Sequence, residues 1–282
     1  MLPINNKYVP TNQMGKGMFG TVYKGVNQKT KEPVAIKLEH ENSPAKILKH
    51  ETTILNYLYR NGCRSAPPVY WFGKYSEKPC LIMPFYECSL FDYSAKQKLS
   101  TNKINAIMLN MFDILENIHV HFVIHRDIKP DNFMIKSGKI YIIDFGLATL
   151  YTNEKGEHVS HQINKECIIG TPTYISINVH NGELPSRRDD VISTMYIWYW
   201  LTFGYLPWTN IETMPDSKTF LEIHTSHYKN QIRKQMKSFE NMDNEFRQKS
   251  NTPDGYENMY NSLKYTYQLK YNDKPSMSLR FS

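Results

Sequence analysis

The chain has 282 residues, 40% of them hydrophobic and 22% charged, with a formal net charge of +7. This length buries one large core or two lobes, and the composition is that of a globular protein rather than a disordered or fibrous one. No apolar run reaches the ~18 residues of a membrane span, and MLPINNKYVP at the N-terminus lacks the apolar stretch of a signal peptide, so no membrane partner is expected.

Residues 7–14 and 21–26 predict two strands joined by the glycine-rich string GKGMFGTV at 15–22. Glycines at 15, 17 and 20 let backbone close over phosphates with no Cβ in the way. Alone, G-x-G-x-x-G is weak, because dinucleotide-binding turns share it. Here the flanks read as a hairpin rather than a strand leading into a helix, and a third strand carrying VAIK (34–37) follows. Lys37 then has an acidic candidate, Glu51, fourteen residues on in the predicted helix 44–59. Glu39 and Glu41 are rivals, but both precede that helix.

Residues 74–83 end in the apolar run CLIM, and 84–88 read as a connector. From there the character changes. Residues 102–120 carry Ile104, Ile107, Met108, Met111, Phe112, Leu115 and Ile118, an apolar stripe at helical spacing suited to core packing.

The string HRDIKPDN at 125–132 is followed, twelve residues after Asn132, by DFG at 144–146. Asp127 is a carboxylate to orient a hydroxyl nucleophile, and Lys129 a cation to neutralise phosphate. Asn132 and Asp144 are oxygen donors for Mg²⁺. These are the parts of phosphoryl transfer in the order in which protein kinases carry them, which is the chain's first resemblance to a known family. Short strands are predicted on either side of the turn between them, at 133–135 and 140–143.

Residues 152–165 are polar and read as a surface loop; His158 and His161 show no third metal ligand. Residues 190–203 are almost wholly apolar and predict a buried helix. The basic run KNQIRKQMK (229–237) reads as a solvated helix face, with an anion-binding patch as the alternative. Residues 240–256 are polar and read as a second exposed connection. Cys63, Cys80, Cys88 and Cys167 have neither CxxC nor metal spacing, which predicts reduced thiols in a cytoplasmic or nuclear protein.

The string GTPTYISINVHNGELPSRRDD at 170–190 resembles the casein kinase 1 family of protein kinases, where S-I-N (here 176–178) stands in place of A-P-E. SRRDD (186–190), LPW (206–208) and LKYNDKPSMS (269–278) are similar to that family too. GEHV (156–159) and LPWT (206–209) are also similar to the vaccinia-related kinases.

The resemblance covers residues 8–278 and implies an α+β, bilobal protein kinase fold. The small β-rich N-lobe would take 1–85 and the larger, mostly α-helical C-lobe 86–282, together forming one kinase domain. It implies a monomer that uses ATP and Mg²⁺, takes Ser/Thr of proteins as acceptors, needs no activation-loop phosphorylation and does not bind nucleic acid directly. The alternative is a pseudokinase-like scaffold, against which every catalytic position is filled with the expected residue type.

The expected nucleotide contacts are Met14, Gly15, Lys16, Gly17, Gly20, Val22, Ala35, Lys37, Met83, Pro84 and Tyr86. Lys37 would touch the α/β-phosphates with Glu51 holding it. Met83 would guard the back of the pocket, and the Pro84 carbonyl and Tyr86 N–H would face adenine. Thr171 would brace Asp127 and Lys129, and Asp190 would cap the backbone around Asp127. Arg126 would meet a phosphate on the activation segment in relatives that need one.

Three departures stand out. Thr173 replaces the arginine of G-T-A-R-Y, which removes a guanidinium fork and puts recognition of phosphate-primed or acidic sites in doubt, with Arg187, Arg188 and Lys165 as the remaining cations. Met195 stands where a glycine is usual. The sequence stops at Ser282, and no regulatory tail is expected.

Overall fold

A computed structural model describes residues 3–17, 20–40, 47–164, 168–209, 221–249, 252 and 255–276, with the side chains of 221–228 left aside. The chain divides into two compact units, the first made of Met1–Asp92 with Asp131–Ala148 and the second of Tyr93–Pro130 with Thr149–Ser282.

The first unit opens with β1 (Tyr8–Lys16), β2 (Gly20–Asn27) and β3 (Pro33–Glu39), followed by helix α1 (Ile47–Arg60) and then β4 (Trp71–Tyr75) and β5 (Lys78–Pro84). The strands form one antiparallel sheet in the order β1-β2-β3-β5-β4. Strand alternation sends Val34, Ile36, Cys80 and Ile82 to one face, where they pack with Ile4 and Tyr8. The register Val22↔Lys37 and Ala35↔Met83 puts those four residues together on the other face. Helix α1 buries Leu48, Glu51, Thr52, Ile54, Leu55 and Leu58, a stripe at helical spacing. The Glu39 carboxylate accepts the first free N–H groups of α1, from Ile47 at 3.0 Å and Leu48 at 3.5 Å. Strand β6 (Cys88–Ser89) and helix α2 (Leu90–Ala95) then lead out of the unit.

In the second unit, helix α3 (Thr101–Val120) is capped by the Ser100 hydroxyl and buries all seven residues of the apolar stripe. Strand β7 (Val123–Ile124) follows it. The chain returns to the first unit for the hairpin β8 (Phe133–Lys136) and β9 (Lys139–Ile142), which joins β6 in the order β6-β8-β9. Back in the second unit, β10 (Thr149–Leu150) pairs with β7. Helices α4 (Ile177–His180), α5 (Arg187–Phe203), α6 (Leu221–Met236), α7 (Phe239–Arg247) and α8 (Tyr256–Gln268) complete the unit. Every residue of α5 from Arg188 to Tyr199 is buried, Met195 among them, and the helix ends at Gly204 in the left-handed conformation (φ 79°). This β-rich first unit and helical second unit are the α+β fold that the resemblance implies. Among the described residues no helix is long and apolar enough to cross a membrane.

Two expectations are overturned. The polar stretch 240–256 is not simply a connection, because α7 occupies its first half. Ser238 caps α7 by accepting the Asn241 N–H at 3.3 Å, and Met242 and Phe246, one turn apart, face inward. Phe246 stacks with Trp198, Tyr256 and Tyr260. The basic run 229–237 is not a solvated face either: Lys229, Arg233 and Lys237, spaced by four, are exposed by only 8%, 8% and 0%. Charge alone misled there, because residues four apart share one side of a helix and this side is the inner one.

The loop after β10 is tied down by bridges at Thr152↔His158 and Ile163↔Glu183. His158 bonds the Val159 carbonyl and His161 the Glu183 carboxylate, and no metal-ligating cluster occurs among the described residues. Lys165, Cys167, Glu41 and residues 277–282 lie outside those residues.

Candidate active site

The first unit assembles one group of polar side chains. Lys37, on β3, places Nζ 2.7 Å from the Glu51 carboxylate of α1 and 2.7 Å from the Asp144 carboxylate. Glu39, the rival in the sequence, is instead occupied at the start of α1. Burial opposes the charge on Lys37, but the two carboxylates outweigh it and hold the ammonium above its ordinary range. Burial pushes the Glu51 carboxyl up, while Lys37 and a backbone hydrogen bond from Phe145 pull it down. The geometry is that of an ion pair.

Asp144 reaches Lys37 because its own backbone is left-handed (φ 66°) and the next three residues form a 3-10 turn that packs on α1. Gly146 belongs to that turn by necessity, since a Cβ there would stand 2.8 Å from the Ile47 side chain. Asn132 is buried beside the open end of the β8–β9 hairpin, and its carbonyl accepts the Ile143 N–H at 2.9 Å. The hairpin therefore sets Asn132 and Asp144 side by side. An amide oxygen and a carboxylate are hard donors that suit Mg²⁺, which completes its shell with water and phosphate oxygen rather than with a full protein cage. The donor set fits the expected metal.

Around the glycine-rich turn the three glycines differ. A Cβ on Gly20 would sit 2.2 Å from the Leu38 carbonyl, so that glycine is required by strand packing. At Gly15 a Cβ would meet nothing within 4 Å, which leaves the backbone of β1 open to a ligand. Met14 and Lys16 are exposed at the end of the same strand. Val22, Ala35, Lys37 and Met83 share the sheet face opposite the apolar core. Pro84 closes β5, and Tyr86 is buried against Tyr141. Cys88 is partly exposed on β6, whereas burial pushes the Cys63 thiol up and the Cys80 thiol to about 12, so neither of the latter two is reactive.

The second unit holds the other group. Asp127 follows β7, and Lys129 Nζ donates to its Oδ2 at 2.7 Å. Thr171 donates to Oδ1 with both its N–H (2.9 Å) and its hydroxyl (2.7 Å), and that hydroxyl accepts from Lys129 at 3.0 Å. The carboxylate is thus fixed in rotation. Asp190, at the start of α5, accepts the N–H groups of His125 (2.8 Å) and Arg126 (2.9 Å) and bonds His119 Nε2 (2.9 Å). Burial would raise the Asp190 carboxyl, but these hydrogen bonds hold it below its ordinary range. Arg126 has a positive φ of 68°, and Gly170 passes so close that a Cβ would lie 2.5 Å from the Arg126 carbonyl.

One buried polar group escaped the sequence reading. Asp189, buried, accepts from Ser176 (2.6 Å), Asn178 (3.1 Å) and both the N–H (2.7 Å) and the hydroxyl (3.2 Å) of Ser186. The S-I-N string and SRRDD are therefore two sides of one buried polar knot. Their joint appearance in the sequence was the available signal, but nothing local said that they touch.

The family model described as protein kinase domain matches residues 8–263. Over 221 residues the chain is 33% identical to casein kinase I homolog 1 of Saccharomyces cerevisiae, a match covering 75% of this chain and 40% of that protein. It is equally similar, 33% over 221 residues with the same coverage, to casein kinase I homolog RAG8 of Kluyveromyces lactis. The chain thus matches about two fifths of the length of these curated relatives.

Proposed function

This chain belongs to the protein kinase family, and we propose that it transfers the γ-phosphate of ATP to serine and threonine hydroxyls of proteins in the manner of the casein kinase 1 family. The observation that carries this reading is the fixed Asp127 carboxylate, held by Lys129 and Thr171, in a chain that also pairs Lys37 with Glu51.

Each residue has a distinct part. Lys37, kept charged by Glu51, presents its ammonium to the α/β-phosphates, and the open backbone at Gly15 donates to phosphate oxygens. Asn132 and Asp144 would hold Mg²⁺, which supplies positive charge against the phosphate oxygens. Asp127 accepts a hydrogen bond from the acceptor hydroxyl and orients its lone pair toward phosphorus, taking the proton late. Lys129 offsets charge on the transferring group. Asp190 holds the backbone on which Asp127 rides.

Two finer points belong to the same proposal. Thr173 offers neither charge nor a guanidinium fork, so phosphate near the acceptor site gives little advantage. Activation needs no phosphate on the segment, because Thr171 already engages Asp127.

The test is γ-phosphate transfer from Mg-ATP to casein and to a pre-phosphorylated peptide. An Asp127→Asn control should lower transfer by about 10²–10⁴-fold. Equal use of the two substrates supports the role given to Thr173. Binding of ATP with no transfer to either would sink the catalytic reading in favour of a scaffold.

A further inference from the structure

Lys237 follows α6, and its side chain is fully buried. Its ammonium donates to the carbonyls of Pro172 and Ile175, both at 2.8 Å, and lies 3.2 Å from His180 Nε2. The rings of Trp208 and Tyr196 face it at 4.7 and 5.3 Å. Trp208 in turn donates its indole N–H to the Thr173 carbonyl at 2.8 Å. The Thr171 carbonyl accepts the N–H groups of Tyr174 and Ile175. Four carbonyls in five residues, at 171, 172, 173 and 175, are thereby fixed. At the head of that stretch stands Thr171, whose N–H and hydroxyl grip Asp127.

The anchor is itself anchored. The Tyr267 hydroxyl donates to the Lys237 carbonyl at 2.8 Å and pairs with the Tyr196 hydroxyl at 2.8 Å. Burial and the neighbouring Lys237 charge lower His180 to about 3, so its imidazole stays neutral at working pH and adds no second positive charge beside the ammonium.

We propose that Lys237 is a positioning residue for phosphoryl transfer, clamping the carbonyls of Pro172 and Ile175 so that Thr171 stays on Asp127. A buried cation reached from a later helix thus does, through the backbone, what an added phosphate does where a segment must be ordered by modification. The proposal rests on the kinase reading above. It extends that reading to a residue about 65 positions from the segment it holds.

Lys237→Met keeps the aliphatic stem and removes all three donors. The expected result is a fall in kcat of about tenfold or more with the KM for Mg-ATP little changed, since a slight misplacement of an orienting group acts on the chemical step. Lys237→Arg, which restores donors and charge, should recover part of the loss. Hydrogen exchange at the amides of Thr171, Tyr174 and Ile175 should quicken in Lys237→Met, measured well below its melting temperature. A folded Lys237→Met protein with wild-type kcat and unchanged protection at these amides would overturn the clamp, whatever its melting temperature. If Lys237→Met does not fold, Lys237→Gln, uncharged and with two donors, is read by the same two measurements. Wild-type protein that transfers no phosphate would overturn the proposed function, while the exchange data would still decide whether Lys237 holds Thr171 in place.

Discussion

The most exacting contact is the one that asks Lys37 to satisfy two carboxylates at once. On the role proposed for Lys37, Lys37→Met should lower kcat/KM by about 10²–10³-fold, the usual result of removing one charge aimed at a reacting group. It should also make stability depend on pH in a particular direction. Without its cation, Glu51 remains in a site whose burial raises its carboxyl. A group with a raised folded value keeps its stability at low pH and loses it as pH climbs through that value. The variant should therefore melt closer to wild type at pH 5 than at pH 8, and adding Glu51→Gln should flatten the difference; a deficit independent of pH would contradict this account. His180 behaves oppositely. Its folded value lies near 3 against an ordinary 6.5, so the unfolded chain takes up a proton that the folded protein refuses. Its contribution is complete above about 6.5 and drains away as pH falls toward 3. Burial is the first cause, followed by Lys237, with Arg233 and Lys234 adding to it. His180→Gln should reduce the acid slope of the urea midpoint, and an unaltered slope would count against it.

Among elements, helix α5 carries the densest set of obligations. Its first turn holds Asp189 against Ser176 and Asn178, and Asp190 against the backbone of His125 and Arg126. Asp189→Ala leaves four donors, the Ser176 and Ser186 hydroxyls, the Asn178 amide and the Ser186 N–H, without their acceptor, and it should cost about 3–5 kcal/mol in urea unfolding. Asn at 189 should cost less, since its carbonyl can still accept. The residues proposed to handle phosphate were legible in the sequence because that chemistry admits few side chains: Asp127, Lys129, Asn132 and Asp144 stand in fixed spacing whatever surrounds them. Lys37 and Glu51 were legible through a strand and a helix of recognisable period. What was not legible depends on contacts made far along the chain. Nothing near Lys237 announces Pro172, and a run rich in lysine resembles a wet surface until its four-residue spacing is set against a partner. Helix α7 was hidden because only Met242 and Phe246 mark its inner side, too few to outweigh its polar residues.

At the scale of the whole molecule, the residues proposed to hold nucleotide and metal all belong to the first unit, and those proposed to handle the acceptor belong to the second. Mg-ATP at about a hundred times its Kd should stabilise the protein by about 2.7 kcal/mol, or roughly 5–10 °C in Tm. Chelating the metal should remove most of that shift, as should Asp144→Ala with metal present. A shift equally large in the chelator would mean that Asn132 and Asp144 do not hold the ion. The first unit is also discontinuous, interrupted after Asp92 and resumed at Asp131. A ribosome making this chain releases the glycine-rich hairpin, Lys37 and Glu51 long before Asp144 exists. At about 5–20 residues per second, the nascent sheet waits roughly 3–11 s for the β8–β9 hairpin and the turn that packs on α1. During that interval the Lys37–Glu51 pair lacks its third member and β6 lacks its neighbour, so the half-made unit carries an unpaired strand that favours aggregation until the hairpin is made.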